Sequence, residues 1–191
     1  MIRQGSDRMA AATIRQLRPD DARSWVDLRL RALREEPQAF ISSYAEYQER
    51  PNLVTQIEER FRRLDQATFG AFVGGQLLGM ATFVDEGRTK QAHIGELVGM
   101  YVSPEARGRG IGRSLVQAVL AAARGAGKTQ VELAVADTQA AAKGLYAACG
   151  FVAWGTQPRG MQADGAFIDL HFMACSLPLD EGQEASPVGN R

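Results

Sequence analysis

The sequence predicts one mixed α/β domain, and three observations carry that prediction. Apolar residues recur at helical spacing up to about residue 64, then switch to strand-like runs between residues 68 and 103. Beyond that point helix-like and strand-like segments alternate, punctuated by glycine or proline. A chain of 191 residues suffices for one α/β domain with a real core, and no internal repeat is visible. The resulting order is β-α-α-β-β-β-α-β-α-β-β.

Residues 12–18 (ATIRQLR) read as a short strand. Pro19, Asp20 and Asp21 then open a helix, with the acidic residues suited to its N-terminus. Trp25, Leu28, Ala32 and Leu33 fall on one face before Pro37 ends it. The next segment, QAFISSYAEYQER, reads as a loop with one helical turn, and Ser43 and Glu46 have the spacing of a capping box. Pro51 begins a further helix with Leu53, Ile57, Phe61 and Leu64 expected to face inward. TFGAFV, the turn at Gly74 and Gly75, and QLLGMATFVD form a hairpin. Residues 91–103 form a longer strand whose second half is apolar on both faces, which predicts a central place in the sheet. A helix at about 110–125, a strand at 129–136, a helix at about 139–148, a turn at Gly150 and strands near 151–157 and 166–176 complete the chain. Residues 1–10 read as a flexible extension, 11–177 as the domain, and 178–191 as a disordered tail with too few apolar groups to pack.

Composition narrows the function. Lysine plus arginine and aspartate plus glutamate number 22 each, so the chain lacks the basic excess of a nucleic-acid or membrane-surface binder. Cys149 and Cys175 make no CxxC pair, and only two histidines, His93 and His171, are present. Neither a zinc site nor a disulfide framework is expected. No apolar run approaches the length of a membrane span and the start lacks the apolar segment of a signal peptide, so a soluble, cytoplasmic protein is expected.

Against this neutral background, 101-YVSPEARGRGIGRSLVQAVLAAA-123 concentrates Arg107, Arg109 and Arg113 with Gly108, Gly110 and Gly112 at the mouth of a helix. Glycines there let backbone N–H groups approach an anion, helped by the helix dipole. A dinucleotide fingerprint beginning at Gly108 fails because Arg113 stands where its last glycine belongs. A phosphate-loop near miss at 122-AARGAGKT-129 lacks its first glycine and follows a helix instead of a strand, so it reads as a helix end closed by Gly125 and Gly127. An RGG-like nucleic-acid contact lacks interleaved aromatic residues.

What remains is R-x-x-G-x-G at Arg107, Gly110 and Gly112, between a strand and a helix. This pattern, with 145-LYAACGF-151 at the expected distance and the opening IRQLRPDDARSWVDLRLRALREEPQAF, resembles the GCN5-related N-acetyltransferase (GNAT) superfamily over roughly residues 12–177. The resemblance implies a mixed, mostly antiparallel sheet flanked by about four helices, and transfer of an acetyl group from acetyl-CoA to a primary amine in a ternary complex, with CoA as product. It implies that N–H groups from Gly108 through Ile111 to Arg113 hold the CoA pyrophosphate and that the backbone of Met100, Tyr101 and Val102 pairs with the pantetheine arm. It further implies Glu96 as general base, directly or through water, and Tyr146 as the acid that protonates the departing thiolate. The alternative base position on the next strand holds Ala134. Gln139 stands where many members carry an asparagine, keeping the amide but lengthening its reach. The acceptor, a small molecule or peptide amine, is expected between a loop carrying Phe40, Tyr44, Glu46 and Tyr47 and the segment from about Gln157 to Gly165. A homodimer pairing through the C-terminal strands is compatible with the sequence. The competing reading, a silent acetyl-CoA sensor or interaction module, would keep the glycine turn but lose the acid and base, and both are present.

Overall fold

The computed structural model describes residues 11–178; the expected extension over 1–10 and all but the first residue of the expected tail lie outside the described residues. Among the described residues seven strands form one sheet in the order β1-β2-β3-β4-β5-β7-β6. The strands are β1 (Thr13–Gln16), β2 (Gln66–Val73), β3 (Gln76–Val84), β4 (Ile94–Val102), β5 (Gln130–Ala136), β6 (Val152–Ala163) and β7 (Ala166–Ser176). Only β4 and β5 pair in parallel, so the sheet is mixed and mostly antiparallel as expected, with β4 at its centre. Gly74 and Gly75, at φ 58° and 85°, make the β2–β3 turn in the conformation that matches strand twist.

Helices cover both faces. On one lie α1 (Ala22–Glu35), α2 (Tyr44–Gln48) and α3 (Leu53–Phe61). Their core joins Trp25, Leu28, Ala32, Leu33 and Ile57 to Leu77, Met80 and Tyr101 of the sheet. On the other lie α4 (Ile111–Gly125) and α5 (Ala140–Ala148). There Ile111, Leu115, Val116, Val119, Leu120 and Ala123 form a stripe at helical spacing, packed on Leu78, Ala81, Phe83 and Leu97. Neighbouring β3 residues such as Leu77 and Leu78 thus serve opposite cores, because strand side chains alternate. At roughly 1.5–3 kcal/mol for each fully buried aliphatic side chain, these two layers dominate the fold's stability.

Local signals act as the sequence implies. Ser43 Oγ accepts from the Glu46 N–H at 3.2 Å while Glu46 Oε2 accepts from the Ser43 N–H at 2.9 Å, completing the capping box of α2. After α4, the N–H groups of Gly127 and Lys128 bond back to the carbonyls of Arg124 and Ala123, so the phosphate-loop near miss is a helix C-terminus.

Two expectations are corrected. Leu64 is fully exposed, because α3 ends at Phe61 and position 64 lies in the turn beyond the helical face. The segment from Gln157 to Gly165 is not a loop: β6 runs on to Ala163 after a register shift between Gln157 and Met161, with Arg159 at φ 53°. A bulge of this kind absorbs extra residues and lets pairing resume, leaving only Asp164 and Gly165 to turn the chain.

Candidate active site

The central parallel pair does not stay paired. β4 and β5 align at Ile94↔Gln130, Gly95↔Val131 and Glu96↔Glu132, and there the pairing ends. β5 continues along β7 as far as Ala136↔Leu170, while β4 continues along β3 to Gly79↔Val102. The strands part because β4 carries an extra residue: Thr82 faces Val98, but Met80 faces Tyr101. Gly99 sits in this bulge at φ 64° with open space where a Cβ would stand, so the backbone angle alone calls for glycine. A cleft of about 710 Å³ opens between the strands. Met100, Tyr101 and Val102 line it with a backbone edge that has no β5 partner, suited to an extended ligand carrying amides.

The mouth of α4 closes one end. Gly110, at φ 75°, is its N-cap and makes no side-chain cap, so the N–H groups of the first turn are left for another acceptor. Gly108 is also left-handed, at φ 72°. Gly112 matters for packing instead. A Cβ there would come within 2.9 Å of Leu145 Cδ2 and 3.4 Å of Met100 Cε, so glycine lets α4 sit close to α5. Gly108, Gly110, Ile111, Gly112, Arg107 and Arg113 line the cleft, whereas Arg109 does not. Arg107 is committed elsewhere. Its Nη2 donates to Glu36 at 2.9 Å and its Nε to the Val102 carbonyl at 2.9 Å, bracing the loop against the end of α1.

Glu96 and Glu132 stand side by side where the strands divide, and both line the cleft. Burial first, then the charges of Glu86 and Glu132, push the Glu96 carboxyl above the usual carboxylate range. Tyr146 lies on the α5 wall, buried and tilted against Phe151 at 5.9 Å between ring centroids. Desolvation raises its phenol well above the ordinary value, so it stays protonated at neutral pH. Gln139, the N-cap of α5, makes no capping bond and lines the cleft. Tyr101 donates to Glu35 Oε2 at 2.6 Å; burial, then that carboxylate, pushes its hydroxyl up to about 12.

At the far end Phe40, Ile41 and Ser42 line the cleft, but Tyr44 and Glu46 do not. Glu46 is engaged in the α2 cap, and Tyr47 is buried in the core beside α1. No residue of the 157–165 segment reaches the cleft; Phe172 of β7 does. Several residues outside the sequence-based site join it, Glu132 and Arg29 among them. Glu132 is brought in by strand register, which no local pattern announces. Arg29 left a trace: it shares the buried stripe of Trp25, Ala32 and Leu33, and an arginine at a core position is unusual. Among the described residues no group of three or more His, Cys, Asp or Glu could hold a metal ion, and no helix is long and apolar enough to cross a membrane. Cys149 and Cys175 are free thiols.

Residues 22–151 match the model of the acetyltransferase (GNAT) family. The aminoglycoside N(6')-acetyltransferase type 1 of Stenotrophomonas maltophilia is 32% identical over 74% of this chain and 87% of its own length. The L-methionine sulfoximine/L-methionine sulfone acetyltransferase of Pseudomonas paraeruginosa is 34% identical over 54% of this chain, and the match spans 60% of that relative. Among solved structures, yncA from Salmonella typhimurium, determined with its cofactor acetyl-CoA, superposes with a TM-score of 0.77 at 22% identity, covering 93% of this chain and 99% of that one. That likeness is one of fold.

Proposed function

We propose, given that this chain belongs to the acetyltransferase (GNAT) family, that it transfers an acetyl group from acetyl-CoA to a primary amine by direct attack in a ternary complex. The observation that carries the proposal is the parting of β4 from β5 beside the uncapped start of α4. It pairs an anion-binding helix mouth with a free strand edge, as a donor needs whose diphosphate is joined to an amide-bearing arm. The N–H groups of Ile111, Gly112 and Arg113 hold the diphosphate, Arg113 adds charge, and Met100, Tyr101 and Val102 offer backbone to the arm. Gly108 and Gly110 give the turn its left-handed bends, and Gln139 contacts the arm from the opposite wall.

The remaining groups supply proton transfer. Glu96 takes a proton from the substrate ammonium, freeing the nitrogen lone pair to attack the thioester carbonyl carbon, while an N–H near Met100 stabilises the developing oxyanion. As the C–S bond breaks, Tyr146 donates its phenolic proton to the leaving sulfur and is reprotonated, through solvent, by the second proton shed from the new amide nitrogen. Amide and free thiol are the products, while Glu96 releases its proton to water. The relatives named above act on an aminoglycoside and on amino-acid analogues, and the acceptor here is a small amine of that general kind. Acetyl-CoA as donor suits the cytoplasmic location expected from the sequence. Thiol release from acetyl-CoA with a panel of amines tests the reaction, and calorimetry with CoA tests the cradle. Heat of binding with no turnover on any amine would replace the enzyme by a sensor, and no heat would remove the reading.

We further infer a homodimer through the sheet edge, supported by the exposed Val152, Trp154 and Phe167 on β6 and β7. Sedimentation should find a dimer that Trp154→Glu converts to monomer; a monomeric wild type overturns it.

A further inference from the structure

Among the described residues Arg29 is the one buried guanidinium in the cleft wall, and its partners do not account for it. It is 6% exposed, yet within that described set Nε and Nη1 meet no hydrogen-bond partner. The rings of Phe40 and Tyr47 lie 4.3 and 5.2 Å from its Cζ. Rings over a guanidinium face hold it in place and favour its charge, but they leave the N–H edge unsatisfied. The Tyr47 hydroxyl favours the Arg29 charge, but the full charges near it, Arg60 and Arg50, are of like sign, and Arg50 in turn stacks on Tyr47 at 4.4 Å. Burial pulls Arg29 down from its usual value, which is so high that the charge persists at neutral pH. A buried cation with two donor atoms left unsatisfied is costly. Removing an oxyanion partner would leave this arrangement behind, and supplying one would repair it.

Resting on the acetyl-transfer reading, we propose that Arg29 is the carboxylate-binding residue of the acceptor site, and that the acceptor is an amine carrying a carboxylate, an amino acid in chemical class. The guanidinium lines the same cleft as Glu96 and Phe40, so one ligand can present its amine to the base and its carboxylate to Arg29. Arg29, with Arg60 and Arg50 acting on it from outside the cleft wall, makes its own end of the acceptor site positive, which disfavours a second ammonium at that end. A site built to hydrogen-bond a charged group rejects the analogue lacking it far more strongly than an apolar pocket rejects a missing methylene.

The test compares L-methionine, L-leucine and L-phenylalanine with their primary amides, reading thiol release from acetyl-CoA. In the wild type the acid should exceed its amide in kcat/KM by about 30-fold or more, the range of a charge-assisted bidentate contact. Arg29→Met should collapse that ratio to within about threefold, and Arg29→Lys, which keeps the charge but not the fork, should fall between. Equal use of acids and amides by the wild type overturns the proposal without needing any variant, and leaves the acetyl-transfer reading standing. Should no amine release thiol, that reading falls, and calorimetry of the CoA-loaded protein with L-methionine against its amide decides this one. Heat from the acid alone, lost in Arg29→Met, supports the anion site; equal heats sink it.

Discussion

Two carboxylates brought together by parallel register shape the chemistry of the candidate base. Glu96 is held above the usual carboxylate range by burial, then by Glu86 and Glu132. The base works only when deprotonated, so kcat/KM should climb as pH rises through that elevated value and level off above it. Glu132→Gln removes one of the like charges, so the acid limb of the profile should move to lower pH, while Glu96→Gln should abolish the limb together with most of the rate. A profile unmoved by Glu132→Gln would exclude coupling between the pair. Tyr146→Phe should lower kcat by about 10- to 1,000-fold, the lower part of the reach of acid catalysis, because a thiolate is already a fair leaving group. KM should hold, because the proton is given only as the C–S bond breaks; a change in KM alone would make Tyr146 a packing residue. The place of Glu96 and Tyr146 in the cleft wall was legible from the family resemblance, Tyr146 within LYAACGF and Glu96 upstream of the glycine turn. Glu132 was not, since register between strands 30 and more residues apart is a property of the sheet. Nor was the diversion of Arg107: the glycine turn marks where an arginine stands, not that Glu36 on another element will claim its guanidinium.

At the scale of elements, the cleft depends on backbone angles that only a few glycines supply. Gly110 is at φ 75° and would meet no neighbour with a Cβ, so Gly110→Ala isolates the cost of a left-handed residue, about 1–2 kcal/mol. The expected outcome is a lower Tm and CoA affinity weaker by roughly tenfold as the first turn of α4 shifts to relieve the strain. Gly125, at the far end of the same helix with open space and an ordinary helical angle, is the contrast: Gly125→Ala should stabilise by about 0.4–1 kcal/mol and leave CoA binding alone. Equal effects at the two sites would mean that the α4 mouth is not built on its left-handed cap. The order of strands and helices was readable throughout, because periodicity and turn residues are local. Two expectations went astray, the first of them for a nonlocal reason. β6 outlasts its apparent end because β7 offers a partner on the far side of a bulge, and Leu64 is stranded because α3 stops a turn earlier than its apolar spacing suggests.

For the whole molecule, a sheet that opens at one end of its central pair must be held at the other. Lys128 does this. Its side chain is buried, with Nζ 2.6 Å from Asp85 and donating to the Ala92 carbonyl at 2.7 Å. It thereby ties the end of β3 and the approach to β4 to the start of β5. The Thr129 N–H bonds the His93 carbonyl at 2.9 Å in the same corner. Lys128→Ala removes a buried stem and its charged hydrogen bonds and leaves the partly solvated Asp85 without its cation. It should cost about 1–3 kcal/mol, or roughly 2–12 °C in Tm for a domain of this size. The pair also sets a pH signature. Lys128 holds the Asp85 carboxyl below its usual value, so the stabilisation is complete above the unfolded carboxylate range near pH 4 and is lost as pH falls through the lower folded value. Asp85→Asn should therefore be markedly less stable than wild type at pH 7, with the gap closing steadily below about pH 4. Chemical denaturation across that range measures both curves. A gap that stayed constant with pH would show that the corner is held by packing and backbone bonds, and that the Lys128–Asp85 pair is not the clasp opposing the cleft.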